Sequence, residues 1–391
     1  MRDLLVVCPQ QRDVNAIRSA GLEELYRVRY AGSDLDLLDE FDPVSFLAEW
    51  ERAPADGVIG TKDQSALLAA LIARRRGLPG PTPEALIACQ HKPTSRELQR
   101  EAAPEATPEF AILDSRVPFR LPFFVKPVVG RLSQNAYRID DPADLVRLHE
   151  VDRYTRRYAD IAALAGADPA SVHGFIAEEL LTGQEVTLEG YVHGGRVTTI
   201  GVTDSVKYPG TLSFERFEYP SRLSADRQAE LVDIADRVLP ALGFEGGFFN
   251  TEFFVPETGQ ASIIEVNGRL ASQFAPLVQR LHGRSTYDAL FELACGDDPA
   301  WKTGLPDGVG VSYCLRVFGD AFVEAVPEPE EGLEILVKPG LRLSEQGVND
   351  AQSYRLAIFY GFGETREEAV EGCRARARGL NFRLQAPVRT R

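Results

Sequence analysis

Two acids that interrupt apolar runs are the first residues with chemistry to offer. Glu252 sits in Phe248-Phe249-Asn250-Thr251-Glu252-Phe253-Phe254, and thirteen residues later comes Glu265, in Ile264-Glu265-Val266-Asn267-Gly268-Arg269. Burying a lone carboxylate costs several kcal/mol unless it is paired or metal-bound. Each acid lies two residues from an asparagine, so by the period-two alternation of a strand each pair shares one sheet face. A turn at Pro256–Gly259 lets the two faces meet. Two carboxylates and an amide oxygen suit a hard cation such as Mg2+, which takes a few protein carboxylates and completes its shell with substrate phosphates. Ion pairing of Arg269 with Glu265 or Glu252 accounts for the same residues equally well. A second signal is Lys126, at the end of Leu121-Pro122-Phe123-Phe124-Val125-Lys126-Pro127. It is placed to reach a phosphate as a point charge, or simply to snorkel to water. Lys92, before an expected helix, is an ordinary charge by itself. The third signal is Phe175-Ile176-Ala177-Glu178-Glu179-Leu180-Leu181 with Gly183-Gln184-Glu185. Such an edge-like segment can offer backbone groups to an adenine and Glu185 to ribose hydroxyls; an acidic surface hairpin is the plain alternative.

The elements that must position these residues follow from patterning. Residues 4–8, 26–30 and 57–60 read as strands, with a helix at 64–76 stopped by Gly77, Pro79, Gly80 and Pro81; this alternation suggests a small α/β unit with a parallel sheet. It has no GxGxxG turn and so is not read as a dinucleotide site. Thr94-x-x-Glu97 predicts a capping box opening a helix just after Lys92. Residues 110–150 read as strands followed by a helix around Ala143–Glu150, and from Phe175 onward the pattern is strand-rich, with a Gly194-Gly195 hairpin. Ser224 caps an amphipathic helix whose apolar face is Leu231, Ile234, Ala235, Val238, Leu239 and Leu242, closed by Gly243. Strands follow at 247–255 and 261–266, then at 309–317, 334–337 and 355–359. A last helix opens on the capping box Thr365-x-x-Glu368.

Composition narrows the class. The chain has 391 residues, with 43 basic against 58 acidic side chains and a net charge of −15. That length suggests two or three domains, and that charge disfavours a nucleic-acid partner. Five dispersed cysteines and five dispersed histidines give neither a disulfide framework nor zinc spacing. The opening apolar run is too short for a signal peptide or a membrane span, so the expected location is cytoplasmic. The basic residues of 374–391 read as a solvated helix end and tail.

Taken in order, Lys92, the strand Lys126-Pro127, Glu178-Glu179-Leu180-Leu181 with Glu185, the strand acid Glu252, and Glu265-Val266-Asn267-Gly268-Arg269 resemble the ATP-grasp superfamily. The resemblance covers nearly the whole chain, and the segment from Ser353 to Ala369 is similar to the C-terminal domain of the biotin-carboxylase-like branch. It implies an ATP-grasp fold of mixed α/β and α+β class: a parallel pre-ATP-grasp domain (1–88), a split ATP-grasp domain (89–300, lid about 110–182), and a small α+β domain (301–391). It further implies ATP with one or two Mg2+ ions. Lys92 and Lys126 would contact the α- and β-phosphates; Glu178, Glu179, Leu180 and Leu181 would frame the adenine; and Glu185 would take the ribose. Glu252, Glu265 and Asn267 would ligate the metal, and Arg269 would steady the anionic reaction centre. Many relatives follow the strand lysine with several glycines; here the stretch is Val128-Val129-Gly130-Arg131-Leu132-Ser133-Gln134-Asn135, so Arg131, Ser133 or Asn135 would replace backbone contacts in the lid. The resemblance places the segment around Lys207, Tyr208, Arg216 and Glu218 near the substrates, with Arg269 and Ser272. Lys207, Arg216 and Arg269 are the residues expected to act on the reacting groups. The implied reaction phosphorylates a small-molecule carboxylate and couples it to an amine. Carboxylation by bicarbonate and a non-catalytic nucleotide-binding module remain alternatives, and a homodimer is left open.

Overall fold

The computed structural model describes residues 1–113, 119–131, 133–148, 153–302, 304, 306–347, 350 and 353–385. The expected N-terminal unit forms. Strands β1 (Asp3–Val7), β2 (Arg27–Ala31) and β3 (Gly57–Ile59) pair in parallel in the order β2-β1-β3. Every residue of β1 is buried, which is why it reads as a continuous apolar run. Around this sheet lie α1 (Gln11–Ser19), α2 (Leu22–Leu25), α3 (Pro43–Trp50), α4 (Asp63–Arg76) and α5 (Pro83–Gln90).

Helix α6 (Lys92–Ala102) begins one residue earlier than the sequence suggested, and the Thr94 box does not form. His91 is the cap instead, its Nδ1 accepting from the Thr94 N–H at 3.3 Å. Pro93 explains the shift, because its fixed φ belongs in a helix's first turn and its missing N–H is no loss there. Next comes a four-stranded antiparallel sheet of β4 (Phe110–Ile112), β5 (Phe123–Pro127), β6 (Tyr137–Ile139) and β7 (Phe175–Glu179), in the order β4-β7-β5-β6. The helix expected at 143–150 is a 3-10 segment, Pro142–Arg147, and residues 149–150 lie outside the described residues. An α-helix, α7 (Arg153–Ala163), follows.

Eight antiparallel strands make the large sheet. Its first six are β8 (Gln184–His193), β9 (Arg196–Lys207), β10 (Phe214–Tyr219), β11 (Gly247–Val255), β12 (Ser262–Asn267) and β13 (Val309–Val317). Three helices interleave with them: α8 (Ala225–Ala241), α9 (Ala275–His282) and α10 (Thr286–Ala294). Gly194 and Gly195 both take positive φ, 59° and 72°, the conformation a two-residue hairpin needs. After β14 (Phe322–Ala325) come β15 (Leu333–Ile335), β16 (Tyr354–Gly363), α11 (Arg366–Gly379) and β17 (Arg383–Gln385). The sheet order is β12-β11-β8-β9-β10-β13-β16-β15, with β14 and β17 pairing apart. The boundary expected near 301 therefore runs through one continuous sheet, because β10, which was not read as a strand, pairs with β13 through Arg216↔Tyr313. The Thr365 capping box on α11 forms as expected.

Candidate active site

Strand register fixes the centre of the site. Asn250 stands opposite Asn267, and Glu252 opposite Glu265, so the four side chains share one face. Asn267 Nδ2 lies 3.3 Å from Glu252 Oε1 and 3.4 Å from Asn250 Oδ1. On the other side of β11, Glu189 stands opposite Asn250 and Glu185 opposite Phe254, which puts Glu185, Thr187 and Glu189 on the same face. Burial, then the charges of Glu265 and Glu185, push the Glu252 carboxyl up to about 8 against the pull of Arg269 and Lys126. Burial pushes Glu189 to about 8 as well.

The competing ion-pair reading fails on geometry. Arg269 turns away from both glutamates: its Nε donates to Asp63 Oδ1 at 2.7 Å, and its Nη2 reaches Asn267 Oδ1 at 3.3 Å. Asp63 is the first residue of α4, so the N-terminal unit holds this arginine in place. The two acids thus remain a hard-oxygen donor pair, with Lys92 Nζ 3.6 Å from Glu265 Oε2. Among the described residues no three His, Cys, Asp or Glu side chains form a metal cage. Two carboxylates and the Asn267 amide are an incomplete donor set of the kind Mg2+ tolerates when phosphates and water supply the rest.

A buried polar stripe on α6 faces this centre. Lys92, Ser95, Arg96 and Gln99 are all buried and fall at i, i+3, i+4 and i+7, a helix face that is normally apolar. Arg96 forks onto Glu178, Nε to Oε1 at 2.7 Å and Nη2 to Oε2 at 3.2 Å, and also reaches the Ile264 carbonyl at 2.6 Å. Lys126 Nζ contacts Glu178 Oε2 at 2.8 Å and the Ile264 carbonyl at 3.0 Å. Burial raises the Glu178 carboxyl, but Arg96 and Lys126 outweigh it and hold it down at about 2. Burial lowers Lys126 to about 8, helped by Arg96 and Lys92 and opposed by Glu178. The Glu178 side chain is therefore a bridge between the two cations, and its strand is paired on both edges. Glu179 is exposed, its Oε1 accepting from the Glu109 N–H, while half-buried Leu180 and Leu181 connect β7 to β8 outside both sheets. Gly183 in that connection has φ +138°, and an added Cβ would meet the Val255 carbonyl carbon at 2.6 Å, so only glycine fits.

Lys207 reaches the same face. Its Nζ contacts Glu185 Oε2 at 2.6 Å and lies 5.5 and 5.3 Å from the ring centroids of Phe214 and Phe254. Arg216 and Glu218 do not join it, which corrects their expected role as substrate contacts. They stand opposite Val206 and Asp204, on the far face of the sheet. There Glu218 is held by Arg216 Nε at 2.6 Å and by Arg366 of α11 at 2.7 Å. The alternation that carries Lys207 into the cleft takes these two out of it. Tyr208 donates to the Cys314 carbonyl at 3.0 Å, and Ser272 is buried between β12 and α9. In the lid, Arg131 is ion-paired with Asp36 of the N-terminal unit and lies over the Tyr154 ring at 4.8 Å. Ser133 and Asn135 take the left-handed conformation, φ 54° and 56°, that glycines would otherwise supply; Leu132 lies outside the described residues.

Sequence reasoning passed over Arg96, Asp63 and Glu189. The polar i, i+3, i+4, i+7 stripe signalled the first, and the Glu185-Val186-Thr187-Leu188-Glu189 alternation signalled the last. Nothing local marked Asp63, whose role depends on the docking of α4.

Residues 119–276 match the ATP-grasp domain family. An uncharacterised Sinorhizobium fredii protein, y4rH, is 28% identical over 216 residues, covering 54% of this chain and 42% of that protein; the match thus spans less than half of that relative's length. Among solved structures, the chain is similar to an L-amino acid ligase from Bacillus licheniformis, with TM-score 0.76, 18% identity, and 98% and 99% of the two chains covered. It is also similar to the biotin carboxylase domain dimer of a Hydrogenobacter thermophilus 2-oxoglutarate carboxylase, in complex with MgADP, ADP and bicarbonate. That match has TM-score 0.69 and 13% identity, and covers 98% and 91% of the two chains. Among the described residues no helix is long and apolar enough to cross a membrane. The chain carries an ATP-grasp domain and has the ATP-grasp fold.

Proposed function

We propose that this protein is an ATP-dependent ligase that activates a small-molecule carboxylate as an acyl phosphate and couples it to an amine. The observation that carries the reading is the cross-strand Glu252–Glu265 pair with Asn267, which has no guanidinium partner among the described residues, Arg269 being committed to Asp63. In this reading Glu252, Glu265 and Asn267 hold Mg2+, which supplies charge neutralisation at the phosphate oxygens. Lys92 and Lys126 hold phosphates as point charges. The 179–181 connection offers its backbone to the adenine, and Glu185, already beside Lys207, takes the ribose. Arg131 and Ser133 belong to the lid.

Phosphoryl transfer asks a protein for positioning and charge compensation more than for a nucleophile. A substrate carboxylate oxygen attacks the γ-phosphorus, the bond to the bridging oxygen breaks, and ADP leaves. The amine nitrogen then attacks the acyl carbon, the C–O bond to phosphate breaks, and the nitrogen's proton leaves to solvent. Arg269, fixed by Asp63, would steady the anionic centre, and Ser272 and Tyr208 would contact the substrates. The full-length likeness to an L-amino acid ligase supports amino acids as substrates. An ADP-release screen pairing carboxylic acids with amines, with mass detection of the product and a bicarbonate arm, tests the reading. A new amide with stoichiometric ADP supports it. ADP release with bicarbonate alone supports carboxylation instead, and none across the panel overturns both.

A further inference from the structure

Asp63, which holds Arg269, is itself held. Its Oδ1 accepts from Arg269 Nε at 2.7 Å and its Oδ2 from the Tyr154 hydroxyl at 3.2 Å, so each carboxylate oxygen has a donor and the plane of the group is set from both sides. Tyr154 is a buried residue of α7. Arg131 of the lid lies over its ring at 4.8 Å, and Gln64 Nε2 donates to its backbone carbonyl at 2.8 Å. Burial, then the charge of Asp63, raises its pKa well above the ordinary tyrosine value, so the hydroxyl keeps its proton and serves Asp63 as a donor. The proposed reaction gives Tyr154 no role.

Arg269 sits at the edge of the metal donors. Its Nη2 reaches Asn267 Oδ1 at 3.3 Å, and both Glu265 and Glu252 act on its charge. A guanidinium released from Asp63 has these two carboxylates as its next acceptors. Its fork matches carboxylate oxygens, so it would occupy the atoms a divalent cation needs, and its charge would repel that cation. Asp63 therefore both neutralises Arg269 and keeps it turned away. The second task depends on the orientation of the carboxylate, whose terminal torsion has no sharp rotamer wells of its own. The Tyr154 hydroxyl removes that freedom.

We infer that Tyr154 is a positioning residue for the metal site: its hydroxyl fixes Asp63, and through Asp63 it keeps Arg269 off the Glu252–Glu265 pair. The inference rests on the metal assignment of the proposed function and is independent of which carboxylate or amine reacts. Tyr154 touches none of the residues assigned to the adenine, ribose or metal, so its effect falls on the Mg2+ requirement and leaves metal-free nucleotide binding alone. The expected size is about three- to ten-fold in Mg2+ affinity. That is below the roughly 10- to 100-fold of a partner bonded directly to a metal ligand, because Asp63 and Arg269 stand between Tyr154 and the donors.

Calorimetric titration of the full-length protein with ATP, without Mg2+ and across a series of Mg2+ concentrations, tests this in wild type, Tyr154→Phe, Arg269→Gln and the double variant. Melting temperatures serve as the fold control. Phenylalanine keeps the ring under Arg131 and removes only the hydroxyl. The Mg2+ concentration that gives half of the full effect should rise about three- to ten-fold in Tyr154→Phe, with ATP affinity in the absence of Mg2+ unchanged. In the Arg269→Gln background the same substitution should shift it less than about two-fold, since no guanidinium is left to swing. An unchanged Mg2+ requirement in Tyr154→Phe, an equal loss of affinity with and without Mg2+, or a full shift in the Arg269→Gln background overturns the inference. If Tyr154→Phe does not fold, Asp63→Asn, which weakens the same anchor, must show the Mg2+ shift, and its absence is the overturning result. Wild-type ATP binding indifferent to Mg2+ would bring down the metal assignment and the inference with it, whereas a normal wild-type dependence with no shift in Tyr154→Phe brings down the inference alone.

Discussion

Glu189→Gln removes one buried acid while keeping its shape. Glu189 is 4% exposed on β8, opposite Asn250 of β11. Burial carries it from 4.5 to about 8, against Asn250, Ala271 and Arg269. Between those values the folded protein holds a proton that the unfolded chain has released. This contribution is therefore fully present below the unfolded pKa and is lost as pH rises through the folded one. About 3.5 units at roughly 1.4 kcal/mol each gives a loss on the order of 5 kcal/mol across the window. At roughly 2.1 cal/mol/K per residue, that is a few degrees of melting temperature for a chain of this length. Glutamine keeps the shape of the side chain and carries no titration. Melting temperatures from pH 5 to pH 9 should fall more steeply for wild type than for Glu189→Gln, with the variant the more stable of the two at pH 9. Parallel profiles would refute the assignment of a neutral buried acid.

Glu265→Gln should abolish substrate-stimulated ADP release with the circular dichroism unchanged, because it removes a metal charge and little volume; full activity would sink the metal assignment. Lys126→Ala should chiefly raise the ATP requirement, and an unchanged nucleotide affinity would contradict its role. Arg96→Met should cost about 3–5 kcal/mol in denaturant unfolding, since it leaves Glu178 with only one of its two cations; a loss within about 0.5 kcal/mol would show that the fork contributes little.

Much of this arrangement was legible beforehand, and what was not has physical reasons. Strands β1, β11, β12 and β13 read well because unbroken apolar runs or alternation mark them. That Asn250 shares a face with Glu252, and Glu265 with Asn267, followed from period two, and a short turn let the faces meet; the register that sets Glu252 opposite Glu265 comes from the structure. Helix α8 followed from its Ser224 cap, its apolar face and Gly243. By contrast, β10 is rich in charged residues because one of its faces carries the Arg216–Glu218 ion pairs under α11, so it was not read as a strand. Arg216 and Glu218 were expected near the substrates from the resemblance, and only the register to β9 puts them on the far face. Helix α6 was misread at its start because the Thr94-x-x-Glu97 pattern competes with Pro93 after His91. The partners of Arg269 and Glu178 come from α4 and α6, contacts between separate units that no local pattern encodes.

The central claim is that this cluster activates a carboxylate with Mg·ATP. Trapping the acyl phosphate with hydroxylamine tests it most directly, by measuring hydroxamate and ADP together across a panel of amino acids, with and without Mg2+. The account predicts Mg2+-dependent hydroxamate in equal amount to ADP for at least one acid, and none from Glu265→Gln. ATP binding without hydroxamate from any acid, or hydroxamate that persists in Glu265→Gln, would contradict it.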